Sequence, residues 1–136
     1  MSKMSDYLEV ELRKHLFRTG SFTKPTILAV SLHTADPTDA GTGTEVSGGS
    51  YARVDRPPLD ANWAAASATD GLTDNVADIT FPAPTANWGV ITHFGIWDAL
   101  TTGNLLVHGA LTTPKTVNSG DPAPKFLAGS LDITFA

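Results

Sequence analysis

The run of residues 88–98, Trp-Gly-Val-Ile-Thr-His-Phe-Gly-Ile-Trp-Asp, constrains the fold of this chain more than any other stretch. Its aromatic and β-branched side chains favour a strand, and the run is too short to span a membrane, which takes about 20 apolar residues. Strict alternation would divide it into two faces: Val90, Thr92, Phe94 and Ile96 on one, and Ile91, His93, Gly95 and Trp97 on the other. Neither face is polar, so the pattern predicts a strand that is buried on both sides.

Shorter strand-like segments surround this run at the spacing typical of all-β folds. Residues 105–111 follow a turn at residues 98–104, which predicts an antiparallel hairpin with the central run. Further strands are predicted at residues 26–33, 51–54, 76–81 and 130–135. The pattern therefore favours a mainly β fold, an antiparallel β-sandwich or jelly-roll-like domain.

One N-terminal helix is predicted over residues 5–19. Asp6 and Glu9 have the spacing of a capping box, and Gly20 is a natural stop. An apolar stripe with helical spacing is formed by Leu8, Leu12, His15 and Leu16. Acidic residues at the start and basic residues at the end suit the helix dipole. The helix must pack on its own sheet or on a partner, because at this length it is not stable alone.

The composition bounds the class of protein. A chain of 136 residues fits a single domain over 1–136, and the absence of cysteine excludes disulfides and thiolate metal sites while suiting a reducing cytosol. The formal net charge is −5 with nine Lys and Arg, which argues against binding to nucleic acid. No signal peptide or membrane-spanning segment is recognisable, so no membrane association is expected.

Two segments have little periodicity. Residues 34–50 contain four glycines and few apolar side chains, which predicts a long surface loop, and loops of this length are often functional. Residues 59–70 are rich in alanine around Trp63, and either a helical turn or an irregular covering segment is consistent with them.

No catalytic or metal-binding pattern is found. The four histidines, His15, His33, His93 and His108, lack the close spacing of metal ligands, although three lie on or beside predicted strands. Asp36 and Asp98 are explained by turns. There is no Gly-x-Ser-x-Gly motif and no phosphate-binding loop. We therefore expect a protein that is not an enzyme, with no cofactor and no metal.

Binding to a partner is the remaining function class. Tyrosine, tryptophan and arginine dominate the energetics of protein interfaces, so the interface candidates are Tyr51, Arg53, Arg56 and Trp63. Trp63, Trp88 and Trp97 could instead form a platform for stacking on carbohydrate, which leaves a carbohydrate-binding module as a further alternative.

Four segments, taken in order, carry a family resemblance. They are the helix start at residues 4–9, the strand and acidic loop at residues 27–46, the Gly-Gly-Ser-Tyr-Ala-Arg motif at residues 48–53, and the run 88–98 with Gly-Asn-Leu-Leu and Gly-Ala-Leu-Thr after it. In this order they resemble a family of small structural proteins of tailed phages, often labelled tail-fibre proteins. Proteins of this kind also resemble capsid cement or decoration proteins, some of which are small jelly-roll-like β-domains.

The resemblance implies a virion structural protein, and it supplies no catalytic residue. A fibre normally shows repeats or a coiled coil, which this sequence lacks, so we favour a capsid cement or decoration protein over a tail-fibre subunit. The expected partners are the major capsid protein, or tail proteins in the alternative, and further copies in a homodimer or homotrimer. We expect synthesis in the host cytoplasm and a place on the capsid surface rather than the tail.

Overall fold

The computed structural model describes residues 2–135 and confirms a mainly β, antiparallel fold with one N-terminal helix. The elements are β1 Ser2–Met4, α1 Asp6–Phe17, β2 Ala29–His33, β3 Val54–Asp55, β4 Ile79–Thr80, β5 Gly89–Trp97, β6 Leu105–Val117 and β7 Lys125–Phe126. A five-stranded sheet has the order β1-β6-β5-β2-β3, and β4 pairs with β7 in a two-stranded sheet. Every pairing is antiparallel. This order does not confirm the jelly-roll form of the prediction.

The predicted central run is the middle of the large sheet. Strand β5 pairs with β2 on one side and β6 on the other, so the predicted hairpin with residues 105–111 is confirmed and extends to Val117. The two sheets meet where Phe94 of β5 packs edge-on against Phe126 of β7, with ring centroids 6.2 Å apart. One apolar core holds side chains from both sheets and from α1. A single domain requires such a shared core, and single-domain organisation stays our prediction.

Strict alternation along β5 is wrong at one place. Opposite Thr92, strand β6 has four residues, 111–114, between the partners of Ile91 and His93. Pro114 lies in this irregularity and has no N–H to donate to the ladder. Ile91 consequently joins Phe94 and Ile96 in one core, although alternation assigned it to the opposite face.

The helix is shorter than predicted, and its cap is Ser5 rather than Asp6. The Ser5 hydroxyl accepts a hydrogen bond from the Leu8 N–H, and its own N–H donates to the Leu106 carbonyl of β6 at 2.9 Å. This second bond fixes the start of the helix on the sheet. The helix ends at Phe17 with Arg18 as C-cap, before Gly20 is reached.

Two short segments depart from the predictions because their partners are distant in sequence, and a third decides between two alternatives that the sequence left open. Strand β1 was not predicted, since three residues carry no period; it pairs with β6 from Ser2, opposite Gly109, to Met4. Residues 130–135 form no strand and contribute an isolated bridge between Thr73 and Ile133. The segment 59–70 contains turns and no helix, which resolves the open alternative.

Residues 34–50 are a surface segment that backbone hydrogen bonds close where it leaves and rejoins the sheet. The Thr34 N–H donates to the Thr44 carbonyl at 2.9 Å and the Val46 N–H donates to the Leu32 carbonyl at 3.0 Å. Its far end touches the helix, because the Asp6 N–H donates to the Asp39 carbonyl. The segment thus crosses the large sheet, where Asp36 and Asp39 reach His93 of β5 and His108 of β6.

Candidate partner-binding surface

Arg53, one of the four interface candidates, points into the molecule. Its guanidinium forms two hydrogen bonds with the Glu45 carboxylate, at 2.8 and 2.7 Å, and lies 4.1 Å from the centre of the Trp97 ring. It also donates to the carbonyls of Ala99 and Thr102. Only 7% of the side chain is exposed, so its contacts within the chain are already extensive.

Tyr51 belongs to the same internal network. Its hydroxyl donates to Glu45 at 2.9 Å and accepts the Leu32 N–H at 3.0 Å, and burial raises the pKa of the phenol. Burial also acts to raise the pKa of Glu45, but the hydrogen bonds and charge of Arg53 outweigh it, so the pKa is lowered. The network therefore holds a carboxylate in its charged form inside the fold.

Arg56 and Trp63 lie together on the far side of the short strand β3 from Arg53 along the chain. Arg56 donates to the Asp78 carbonyl, and the Trp63 indole N–H donates to the Arg56 carbonyl at 3.1 Å. The ring of Trp63 is half-buried and lines an apolar groove. Whether any of the four candidates contacts a partner stays a prediction, but Trp63 is the one that borders an open apolar surface.

Two histidines and two aspartates meet where residues 34–50 cross the sheet. His108 is 2.9 Å from Asp39 through Nε2 and 3.4 Å from Asp36 through Nδ1, and His93 lies 4.0 Å from Asp36. The Thr38 N–H and, secondarily, these histidines lower the pKa of Asp36. Both ring nitrogens of His108 therefore face carboxylates, which leaves neither free to bind a metal ion. Within residues 2–135, no group of three or more His, Asp or Glu is arranged to hold a metal.

The tryptophans do not form a shared carbohydrate platform. Trp88 is buried and donates its indole N–H to the Gly49 carbonyl at 2.9 Å. One face of Trp97 is covered by Arg53. Stacking on a sugar requires an exposed ring face, so these two rings cannot serve as predicted.

An apolar groove of about 630 Å³ lies beside α1. We call it the groove. Its walls come from the start of the helix, the extended chain after it, the segment around Trp63 and the C-terminal residues, and they include Leu8, Phe22, Leu28, Leu59, Trp63, Ile133 and Phe135. Several of these side chains, among them Leu59 and Phe135, are exposed. A groove this apolar and open is typical of a site that a partner covers.

Next to the groove, the helix extends past the body of the protein. Leu8, Leu12 and Leu16 form one stripe, but Leu8 is 5% exposed, Leu12 is half-buried and Leu16 is 70% exposed. Phe17, the last helical residue, is 81% exposed. The chain then returns beside the helix without regular structure, held by a hydrogen bond from the Phe22 N–H to His15. We call residues 13–24 the arm.

The charge of the arm differs from that of the rest of the chain. Arg13, Lys14, Arg18 and Lys24 lie in it, and it contains no acidic residue. The other residues therefore have five Lys and Arg against fourteen Asp and Glu. A basic, apolar projection thus extends from an acidic body.

Sequence reasoning named the helix as a candidate contact element but missed Leu16 and Phe17. It placed Leu16 on the apolar stripe without showing that this residue is exposed, because periodicity shows which face is apolar but not where the sheet beneath it ends. The one local signal was the run of cations around these residues. The groove itself combines segments that are more than 100 residues apart, so no local pattern could have revealed it.

The single helix within residues 2–135 is too short and too polar to cross a bilayer. A comparison with curated proteins gave no match. A comparison with protein families matched the model for podophage GP4 fiber I protein gp80 over residues 3–134. The resemblance to small structural proteins of tailed phages, often labelled as fibre proteins, is thereby confirmed across nearly the whole chain. The chain belongs to the podophage GP4 fiber I protein gp80 family, a family of phage virion structural proteins.

Proposed function

We propose that this chain is a non-enzymatic virion subunit that acts as a capsid cement or decoration protein, binding across neighbouring major capsid subunits. The observation that carries the proposal is the apolar surface formed by the groove and the arm. Leu16, Phe17 and Leu59 are exposed in the isolated chain. Assembly with other proteins would remove their apolar area from water, which is a favourable process.

The body that presents this surface is suited to bearing load. Strands β2, β5 and β6 are joined by antiparallel pairing, with register shifts at two points between β5 and β6, and the helix start is hydrogen-bonded to β6. A force on the helix would therefore be transmitted to the centre of the sheet. A cement protein works by adding contacts that must break before shell subunits separate, and many identical copies multiply the effect.

The contact elements that we propose are the helix with its arm, residues 34–50 and the segment around Trp63. Among the four candidate anchors, Trp63 has the best position, since it lines the groove. Tyr51, Arg53 and Arg56 would act mainly by holding these elements in place, because each makes hydrogen bonds inside the chain. Nucleic acid and membranes are not among the partners that we propose.

A tail-fibre or tail-associated role is the second candidate, and the family description, a fiber protein, favours it. In that role the same apolar surface would attach the subunit to tail proteins. Within residues 2–135, however, the longest helix has 12 residues, and no element resembles the repeats or coiled coil of a fibre shaft. We therefore place the cement role first.

The test is to add the purified chain to expanded capsids that lack it and to tails separated from capsids. We expect co-sedimentation with capsids and a higher temperature of capsid rupture. Leu59→Asp should weaken this binding, whereas Leu100→Asp, which changes a comparably exposed leucine on the distant turn at residues 98–104, should not. Binding to tails alone would establish the fibre role and reject the cement role.

A further inference from the structure

We propose that the groove of one copy receives the arm of a second copy, so that two chains exchange arms reciprocally. The inference rests on the proposed role of this surface in protein binding and names its first partner, a second copy of this chain. Leu16 and Phe17 of each arm would enter the groove of the other copy, beside Leu59 and Trp63. Three observations support this choice of occupant.

The first observation is the overhang of the helix stripe. Exposure along the stripe rises from 5% at Leu8 to 70% at Leu16, so the apolar face continues after its own sheet has ended. Helical side chains one turn apart share a face and can pack on one continuous surface. A second body placed beneath the end of the helix would continue the surface on which Leu8 and Leu12 already pack.

The second observation is the separation along one helix of Leu8, which lines the groove together with Phe22 of the same chain, and Phe17, the exposed last helical residue. Leu8 lines the groove and Phe17 ends the helix, and nine residues of α-helix span about 14 Å. If two such helices lie antiparallel about a twofold axis, each Phe17 is brought next to the partner's groove. One contact surface then forms twice, which is the arrangement of an isologous dimer.

The third observation is charge complementarity. The arm has four basic residues and no acidic one, while the remaining residues have an excess of nine acidic groups. Asp60 lines the groove, and Asp74 and Asp132 adjoin the lining residues Thr73 and Ile133, against a single basic neighbour, Lys24 beside Pro25. A basic arm would therefore approach an acidic rim, which favours docking in this orientation. A partner surface with the same basic charge as the arm would instead be repelled by it.

Cysteine cross-linking tests the arrangement directly, because the native chain has no cysteine. Full-length Phe17→Cys and Leu59→Cys proteins are prepared separately, mixed, and treated with a short bismaleimide, which is less demanding of geometry than a disulfide. We expect a covalent dimer from the mixture and little from either protein alone. Phe17→Cys mixed with Val90→Cys is the control, since Val90 is a similarly exposed side chain far from the groove.

Solution association gives an independent readout. By analytical ultracentrifugation, the double variant Leu16→Ser/Phe17→Ser should raise the dimer dissociation constant by about tenfold or more, since apolar anchors dominate interface energetics. Arg13→Glu/Arg18→Glu should also weaken the dimer, and adding Asp60→Lys should restore part of the affinity. Added salt should weaken the unmodified dimer, because ions screen the attraction between arm and rim.

A strictly monomeric protein that forms no mixed cross-link would overturn the inference. Efficient cross-linking of Phe17→Cys with itself would also overturn it, since it would show that the arms pair with each other. These results are separable from those for the proposed function. A monomer that still binds capsids would refute arm exchange alone, whereas an arm-exchanged dimer that binds neither capsids nor tails would refute the virion role.

Discussion

Two regions of the molecule, the network around Trp97 and the arm, use charged and apolar side chains in opposite ways. Around Trp97, Arg53 and Glu45 are drawn inward and hydrogen-bonded to each other. Around the arm, Leu16 and Phe17 point outward, and the nearby cations are solvated. The network around Trp97 buries charged side chains, whereas the arm exposes apolar ones.

This contrast separates residues that hold the fold from residues that are available for assembly. Removing a buried charge partner leaves the other charge uncompensated, which is costly to stability. Removing an exposed apolar side chain changes folding little but removes area that a partner could bury. Residue type alone suggested that Arg53 is available for assembly. Its contacts show instead that it holds the fold.

A large effect on stability is expected from Arg53→Ala. It leaves the half-buried Glu45 carboxylate without its cation and removes hydrogen bonds to two carbonyls, so the free energy of unfolding should fall by about 3 kcal/mol. Urea denaturation followed by tryptophan fluorescence measures this. Arg18→Ala is the matched control at the arm and should change stability by less than about 0.5 kcal/mol. Equal losses of unfolding free energy for Arg53→Ala and Arg18→Ala would remove the distinction between the Trp97 network and the arm.

The next effect is expected from acid, through His33. Burial lowers the pKa of this fully buried side chain from 6.5 to about 4. Between these values the unfolded chain binds a proton that the folded chain does not, so stability is lost as the pH falls through this window. The loss approaches about 3 kcal/mol near pH 4. The lowered pKa values of Glu45 and Asp36 act in the same direction at still lower pH.

Urea denaturation between about pH 8 and about pH 4 tests the role of His33. The variant His33→Gln, which cannot gain a charge, should show a flatter pH dependence across this window. His15→Gln is the control, because His15 is exposed on the arm. If the slope is the same in all three proteins, burial of a neutral His33 is not the cause.

A smaller effect is expected from Gly95→Ala in the central strand. An added Cβ would lie 2.8 Å from the Ser31 hydroxyl, 3.0 Å from the Trp97 indole nitrogen and 3.1 Å from a Leu105 methyl. Relieving this crowding should cost about 1–3 kcal/mol, measured as a lower urea midpoint. Val90→Ala, on an exposed part of the same strand, should have the smaller effect.

The sequence predicted those parts of the fold whose signals are local. The run 88–98 carries its own strand pattern, and residues 5–19 carry their own helical period, so both elements were found with end errors of a few residues. The irregularity in β6 was missed because alternation cannot show that residues 111–114 lie opposite Thr92. The short strand β1 was missed because it is defined only by its partner β6.

The candidate surface was less predictable, because it depends on contacts that are distant in sequence. Arg53 bonds to carbonyls 46 and 49 residues away, and nothing near it in the chain indicates that it turns inward. Trp63 was chosen for its residue type and its loop-like context, and it does line the groove. Leu16 was correctly placed on the apolar stripe, but the sequence left open whether the stripe packs on its own sheet or on a partner, because the edge of the sheet is set by strand lengths elsewhere.

The sharpest form of the comparison sets two leucines of one helix stripe against each other, and Leu16→Ala is the change with the smallest expected effect on stability. Leu8→Ala should cost about 2–5 kcal/mol, since Leu8 is 5% exposed and its loss leaves a cavity. Leu16→Ala, two turns later and 70% exposed, should change the unfolding free energy by less than about 0.5 kcal/mol. Both can be measured by urea denaturation at a protein concentration low enough to keep the chain monomeric. A large loss for Leu16→Ala in the monomer would mean that this end of the helix packs on its own body, and the surface assigned to assembly would then end at Phe17.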